Sequence, residues 1–137
     1  MSRISFDFDD TLLMTVPDED AGIAEAGPNE KTIALLRAHA AIGNEVVIVT
    51  TRLESNENRG RGVRVRDFVA EHKLPVSSVH FTNMAAKVHT LVRLGVDLHF
   101  DDDIEETNLF PPHIRGVLVP LLPAWGLNFQ LPGVVAP

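Results

Sequence analysis

The sequence contains no cysteine among its 137 residues. Disulfide bonds, thiolate nucleophiles and thiolate metal sites are therefore excluded, and the chemistry available to the chain is that of oxygen and nitrogen groups. Positive charge is also in short supply, because 12 Lys and Arg residues stand against 19 Asp and Glu residues, which gives a formal net charge of -7. A field of this sign does not attract nucleic acid or an anionic membrane over a long range, although local patches can differ.

Long uninterrupted apolar runs are missing as well. The apolar stretch of residues 114–137 is interrupted by Pro120, Pro123, Pro132 and Pro137. Because proline breaks a helix, this Pro-rich tail, which begins at about residue 120, cannot form an unbroken membrane-spanning helix. The first residues lead directly into strand-like sequence and lack the charged, apolar and cleavage-site segments of a signal peptide. We therefore expect a cytoplasmic protein without a membrane anchor.

Two common kinds of site are also absent from the sequence. The six histidines show neither H-E-x-x-H nor another paired zinc spacing, so a histidine zinc site is not expected. No G-x-x-x-x-G-K-[ST] loop occurs, which argues against a mononucleotide kinase. His99 alternates with Asp97 and Asp101 and can face the same side as these acids, but an ordinary buried strand histidine is the favoured interpretation.

The rest of the sequence alternates between strand and helix patterns. Strands are predicted over residues 3–8, 45–49, 78–81, 97–100 and 115–119, and helices over residues 29–41, 62–72, 84–94 and 104–109. Continuous apolar runs such as residues 46–49 are typical of strands covered on both faces. The sequence therefore predicts a single α/β domain over residues 1–137, with a doubly wound, Rossmann-like parallel sheet of about five strands and flanking helices.

The most informative segment, ISFDFDDTLL at residues 4–13, runs from an apolar strand into a pair of acids. Side chains two apart on a strand share a face, so we expect Asp7 and Asp9 to point into the same small volume. Two carboxylates that close repel each other unless a cation or a shared proton intervenes. A hard divalent cation such as Mg²⁺ resolves the repulsion. An Asp-rich turn is the alternative interpretation of the pair taken alone.

Other polar side chains also follow predicted strands. Thr50 follows the apolar run 46–49, and Asp101 follows the strand 97–100. In a doubly wound sheet, ligands bind beyond the carboxyl ends of the strands. Because Asp7 and Asp9 are predicted at the same rim, these four residues indicate one shared site.

Four segments in this order resemble the motifs of a known family. They are D-x-D-x-T after an apolar strand, an apolar strand that ends in Thr, a Lys, and an acidic pair after a strand. The matching residues are Asp7, Asp9 and Thr11, then Thr50, then Lys87, then Asp101 and Asp102. Over residues 3 to about 106, the chain resembles the haloacid dehalogenase superfamily of phosphohydrolases. Asp101-Asp102-Asp103 offers two registers for the acidic pair, and we favour the first because Asp101 directly follows the apolar run.

The resemblance implies a role for each matching residue. Asp7 would be the nucleophile that forms an aspartyl-phosphate, and Asp9 would be the general acid and base. Thr50 and Lys87 would hold the transferred phosphoryl group. The Mg²⁺ ion would be bound by Asp7, by Asp9 through its backbone carbonyl, and by Asp101 and Asp102.

No cap domain is expected over this site, because only a loop through residues 17–20 and one helix are predicted between Thr11 and Thr50. In this respect the chain resembles uncapped members of the family, which act on large substrates such as nucleic-acid ends and phosphoproteins or are covered by a second subunit. One basic cluster stands out in this acidic chain, and it consists of Arg52, Arg59, Arg61, Arg64 and Arg66. Arginine binds phosphate bidentately, which favours a nucleotide or a polynucleotide 3'-phosphate as substrate; a solvated loop is the alternative. The expected substrate contacts are Thr11, Thr51, Arg52, Arg59, Arg61 and Arg64.

The expected function is therefore a magnesium-dependent phosphomonoesterase. The alternative is a metal-binding domain of the same fold that binds partners without turnover. The tail with Trp125 and Phe129 predicts a contact surface, for instance with a second copy of the chain. A receiver-like phosphoacceptor domain is disfavoured, because Lys87 precedes the last acidic pair, whereas the lysine of those domains comes last.

Overall fold

The computed structural model describes residues 2–18, 22–58 and 62–120. Arg59, Arg61, the acidic residues 19–20 and the tail with Trp125 and Phe129 lie outside the described residues. Within these ranges, no helix has the length and apolar character needed to cross a membrane.

The strands, in chain order, are β1 (Arg3–Phe6), β2 (Leu13–Asp18), β3 (Gly22–Pro28), β4 (Glu45–Thr50), β5 (Ser78–Phe81), β6 (Leu98–Asp101) and β7 (Arg115–Leu118). The α-helices are α1 (Glu30–Ala41), α2 (Val65–Glu71), α3 (Val88–Leu94) and α4 (Ile104–Thr107), and a short 3-10 helix spans Glu54–Asn58. Most of these elements begin and end within two residues of the predicted bounds.

Five strands form one sheet in the order β5-β4-β1-β6-β7, and every neighbouring pair is parallel. This confirms the predicted doubly wound α/β sheet. Both faces of the sheet are covered, because alternate residues of β4 belong to different apolar clusters. Val46 and Ile48 pack in a cluster with Phe6 and Phe100, whereas Val47 and Val49 pack in a second cluster with Leu91. The continuous apolar run of β4 is the sequence signature of this double burial.

The chain reverses its direction of travel across the sheet between β1 and β6. It runs from β1 through β4 to β5 at one edge, then crosses back to β6 and ends the sheet at β7. The carboxyl ends of β1 and β6, which pair through Phe6 and Phe100, therefore border the crevice where ligands bind in open parallel sheets.

The prediction of a plain loop before α1 is wrong, because β2 and β3 form an antiparallel hairpin there. Asp10 has a left-handed φ of 60°, and its carboxylate accepts a hydrogen bond from the Thr15 N–H at 3.1 Å, which turns the chain back on itself. Leu13 and Met14 are buried and fix the base of the hairpin to the core. The proline and the acids of residues 17–20 indicate a loop, but proline is tolerated on an edge strand such as β2.

Two helices begin later than predicted, α2 at Val65 rather than residue 62 and α3 at Val88 rather than residue 84. The delay before α3 arises because Asn83 and Met84 adopt left-handed φ angles of 55° and 70°. The N–H of Met84 donates to the carbonyl of Thr51 at 2.7 Å, which ties this turn to the end of β4. Lys87 consequently lies just before the helix and not on its surface.

Candidate active site

Polar groups gather at the carboxyl ends of β1, β4 and β6. Asp7 directly follows β1, and its N–H donates to the carbonyl of Phe100 on β6 at 2.8 Å. Thr50 ends β4, and Asp101 ends β6. One carboxylate oxygen each from Asp7, Asp101 and Asp102 lies within 4.8 Å of the others. The sheet topology therefore brings Asp7 of the first sequence motif together with Asp101 and Asp102 of the last.

Lys87 joins two of these acids. Its Nζ lies 2.9 Å from Oδ1 of Asp7 and 2.5 Å from Oδ2 of Asp101. The backbone N–H of Lys87 donates to Oε2 of Glu106 at 3.0 Å, which fixes the approach of the chain to the site. Burial lowers the pKa of Lys87, but the charges of Asp7 and Asp101 outweigh burial and raise the pKa above its ordinary value. Lys87 is therefore a charged, almost fully buried bridge.

A buried polar chain holds Asp101 from the side of the sheet. Oδ2 of Asp101 lies 2.8 Å from Nε2 of His99, and Nδ1 of His99 lies 2.6 Å from Oγ of Ser5 on β1. Burial would raise the pKa of Asp101, but the hydrogen bond with His99 and the charge of Lys87 hold it below the ordinary value. Burial lowers the pKa of His99, so a neutral ring that donates from Nε2 to the ionised Asp101 fits the contacts.

His99 is thus a buried strand histidine with both nitrogens bonded, as the favoured interpretation held. It also contacts an acid of the site, which the strand alternation with Asp101 made possible. Sequence reasoning did not find its partner Ser5. The signal was present, because Ser5 is a polar residue between Ile4 and Phe6, and β1 pairs with β6 in register at His99.

Asp7 and Asp102 are joined through Thr11, apart from the polar contacts of Asp101 with His99 and Ser5. The Oγ1 of Thr11 lies 3.3 Å from Oδ2 of Asp7 and 3.5 Å from Oδ1 of Asp102. Burial raises the pKa of Asp7 well above its ordinary value, and the charge of Asp101 adds to the rise while Lys87 opposes it. Burial likewise raises the pKa of Asp102. Both carboxylates therefore lack sufficient compensation for their negative charge.

The donor set fits a hard divalent cation. Three carboxylates and one ammonium leave two negative charges when all the acids are ionised. Oxygen ligands of this kind suit Mg²⁺, which binds through few carboxylates and retains water in its other positions. Lys87 contacts Oδ1 of Asp7 and Oδ2 of Asp101, whereas Oδ2 of Asp7 and Oδ1 of Asp102 lie near the hydroxyl of Thr11.

The carboxylate of Asp9 points elsewhere. Its two oxygens accept hydrogen bonds from Nε and Nη2 of Arg52, both at 2.8 Å. Arg52 also donates from Nη1 to the carbonyl of Val63 at 2.7 Å, and its guanidinium lies 4.8 Å above the ring of Phe8. The structure therefore pairs Asp9 with Arg52 and places its side chain outside the cluster of Asp7, Asp101 and Asp102.

The remaining predicted residues surround the end of β4. Thr50 is buried, and its Oγ1 accepts a hydrogen bond from the N–H of Arg52 at 3.2 Å. Thr51 is partly exposed. Arg64 forms a long ion pair with Asp67, at 3.9 Å. Arg52 and Arg64 both line a pocket of about 380 Å³.

Two solved structures share this fold. One, of the Pnkp1/Rnl/Hen1 RNA repair complex, matches with a TM-score of 0.64 and 12% identity over 88% of this chain and 43% of the matched chain. The other, of the Pnkp1/Rnl/Hen1 complex, matches with a TM-score of 0.61 and 11% identity over 87% of this chain and 46% of the matched chain. This chain spans less than half the length of each matched chain, and at such identities the likeness shows the fold alone. No protein-family model matches the sequence, and no curated protein matches it either.

Proposed function

We propose that this protein is a magnesium-dependent phosphomonoesterase of the haloacid dehalogenase type, which acts through an aspartyl-phosphate on Asp7. The observation that carries the proposal is the buried contact of Lys87 with both Asp7 and Asp101, beside carboxylates that retain negative charge. Phosphoryl transfer needs mainly positioning and charge compensation, and this set offers both. The order of the four sequence motifs supports the same reaction.

In the proposed first step, the carboxylate of Asp7 forms a bond to phosphorus while the bond from phosphorus to the ester oxygen breaks. Asp9 gives a proton to the departing oxygen, so that the alcohol leaves without charge. Water then attacks phosphorus, Asp9 takes up a proton from that water, and the bond from Asp7 to phosphorus breaks to release phosphate. Bound Mg²⁺ would supply the positive charge that lets a carboxylate approach a phosphate.

Arg52 links the phosphate to the proton carrier in this scheme. The guanidinium of Arg52 is bound in a bidentate manner by Asp9. Two oxygens of a phosphoryl group can accept from the guanidinium in the same bidentate manner as a carboxylate, so the phosphate competes for Arg52. Transfer of Arg52 from Asp9 to the phosphate would free the Asp9 carboxylate to take up a proton from solvent, which it then gives to the departing oxygen.

For the substrate, we propose a nucleotide or a nucleic-acid end. Arg52 and Arg64 line one pocket, and Arg52 also binds Asp9, the proposed proton donor, which suits an anionic ester. The likeness in fold to chains of an RNA repair complex supports this substrate class without deciding it.

The direct test is hydrolysis of p-nitrophenyl phosphate by the purified protein. We expect turnover in Mg²⁺, loss of turnover in excess chelator, and recovery when Mg²⁺ is added back, because the proposed metal offsets the charge of Asp7 and Asp102. Calorimetry of Mg²⁺ binding runs alongside the assay. Metal binding without turnover on a panel of nucleotides, sugar phosphates and 3'-phosphorylated oligonucleotides would instead support the partner-binding module.

A pair of matched substitutions separates proton transfer from metal binding. Asp9→Asn should lower kcat by about a hundredfold or more, the usual contribution of a positioned proton donor, while the Mg²⁺ concentration for half-maximal rate stays close to wild type. Asp102→Asn should raise that Mg²⁺ concentration, because it removes a carboxylate from the metal cluster. Equal metal dependence in the two variants would show that these roles are wrongly assigned.

A further inference from the structure

The pocket beside the active site has walls of mixed chemistry. Its volume is about 380 Å³, within the range of small-molecule sites. The residues that line it are Arg52, Leu53, Asn56, Glu57, Gly62, Val63, Arg64 and Met84. Arg52 is shared with the active site through its contact with Asp9, the proposed proton donor to the leaving group. The pocket therefore begins where the alcohol of a cleaved ester would depart.

Met84 is placed at this pocket by an unusual backbone. Its φ of 70° is left-handed, a conformation that is costly for a methionine. The turn is held by hydrogen bonds from Met84 N–H to the Thr51 carbonyl at 2.7 Å and from Glu54 N–H to Oδ1 of Asn83 at 2.9 Å. Met84 is nevertheless 73% exposed, so core packing does not explain its position. Backbone strain of this kind concentrates at sites that bind ligands.

Glu57 adds a buried carboxylate to the same pocket. The residue is 6% exposed, and its Oε1 accepts a hydrogen bond from the N–H of Arg66 at 2.8 Å. Within the described ranges, its other oxygen has no such bond. That oxygen is also not one of the fully buried polar atoms that lack a hydrogen-bond partner there. Because Glu57 lines the pocket, this oxygen offers it a strong acceptor. A pocket that held only a second phosphate would not place a carboxylate in its wall, because the two would repel each other.

We propose that this pocket binds the nucleoside of a nucleotide substrate, with Glu57 accepting a hydrogen bond from an amino group of the base. In this arrangement Met84 and Leu53, both exposed at the pocket, contact the apolar face of the base, and Arg52, which also binds Asp9, lies toward the phosphate. The proposal rests on the proposed function, since it assigns the leaving group of that reaction. It makes Glu57 the residue that determines base specificity.

Cytidine and uridine monophosphates form a matched pair for this proposal, because cytosine has an amino donor where uracil has a carbonyl acceptor. We expect kcat/KM to favour the cytidine ester by about tenfold or more, the usual effect of a hydrogen bond to a charged acceptor. Glu57→Gln keeps an oxygen for the Arg66 N–H and presents an amino group to the pocket. The preference should then reverse toward uridine. A ratio near one in wild type that Glu57→Gln leaves unchanged would overturn the proposal.

A second variant tests the apolar wall and does not depend on Glu57. Met84→Asn keeps a residue that tolerates the left-handed backbone but removes the thioether. The ratio of kcat/KM for cytidine monophosphate to that for p-nitrophenyl phosphate should fall about tenfold. Ile42→Asn is the matched control, because Ile42 is 76% exposed but lies between α1 and the start of β4, at the amino ends of the parallel strands. An equal fall of this ratio in both variants would show that Met84 does not contact the base.

Binding without turnover separates failure of the pocket from failure of the proposed reaction. Cytidine, which carries no phosphate, should shift the methyl NMR signal of Met84, assigned by its loss in Met84→Asn, more than uridine does at equal millimolar concentration. No shift with either nucleoside, together with hydrolysis of p-nitrophenyl phosphate, overturns the pocket and leaves the phosphatase standing. A cytidine-selective shift without hydrolysis of any ester supports the nucleoside site and overturns the phosphatase.

Discussion

Asp7→Asn is expected to abolish turnover, with a fall in kcat of about 10⁴-fold or more, while the protein keeps its fold. An amide oxygen is too weak a nucleophile to attack phosphorus, so the covalent step is lost. The fold survives because a neutral amide replaces a carboxylate whose ionisation is opposed by burial and by Asp101. Steady-state kinetics on p-nitrophenyl phosphate measure the first effect, and urea unfolding measures the second. Turnover near the wild-type rate would exclude Asp7 as the nucleophile.

The same variant should change how stability depends on pH in the absence of metal. Burial raises the pKa of Asp7 in the folded state, so the protonated carboxyl stabilises the fold at low pH. This contribution is present below the unfolded pKa of about 3.9 and is lost as pH rises through the raised folded pKa. In Asp7→Asn, this part of the fall in the free energy of unfolding with rising pH should be absent. Asp102, whose pKa is also raised, still contributes a fall in the same direction. Identical pH profiles for the two proteins would contradict the raised pKa.

The convergence of Asp7, Thr50 and Asp101 could be predicted from sequence because few physical facts decide it. Apolar runs identify buried parallel strands, and residues that follow such strands must meet at one edge of the sheet. No knowledge of side-chain contacts is needed for that step. The fold class and the acid cluster can both be predicted in this way, since both depend on the order of strands and helices and not on the exact positions of side chains.

The orientation of Asp9 could not be predicted in the same way. The rule that residues two apart share a face holds only inside a strand, and β1 ends at Phe6. Asp9 lies beyond that end in a single bridge to Leu13, so its side chain turns to Arg52 instead of joining Asp7. The hairpin at residues 13–28 was missed for a related reason. The entry into its first strand is set by the turn at Asp10, where a left-handed φ and a side-chain contact to Thr15 leave no periodic signal in the sequence.

The burial of Lys87 is also a tertiary effect. A lysine in a helical pattern predicts a solvated side chain, yet Lys87 is almost fully buried. The turn at Asn83 and Met84 delays α3, and the bond from the Lys87 N–H to Glu106 fixes where its side chain enters. These contacts join segments far apart in the chain. Local propensity contains no information about them.

Lys87→Met is expected to lower the free energy of unfolding by about 3–5 kcal/mol and to abolish turnover. The substitution leaves Asp7 and Asp101 buried side by side without the ammonium that joins them. Urea unfolding in chelator measures the loss. Saturating Mg²⁺ should restore stability more in the variant than in wild type, because a cluster that has lost its ammonium attracts a divalent cation more strongly. Turnover should not return with Mg²⁺, since the charge that holds the phosphoryl group is still missing.

Two further variants test whether charge is the cause of this loss. Lys31→Met replaces an exposed lysine of α1 by the same residue and should change the free energy of unfolding by no more than about 0.5 kcal/mol. The double variant Lys87→Met, Asp101→Asn removes one of the two stranded carboxylates and should recover part of the stability lost in Lys87→Met. If the double variant is less stable than Lys87→Met alone, Asp101 stabilises the fold mainly through His99 and Ser5, and the bridge through Lys87 is not what holds the site together.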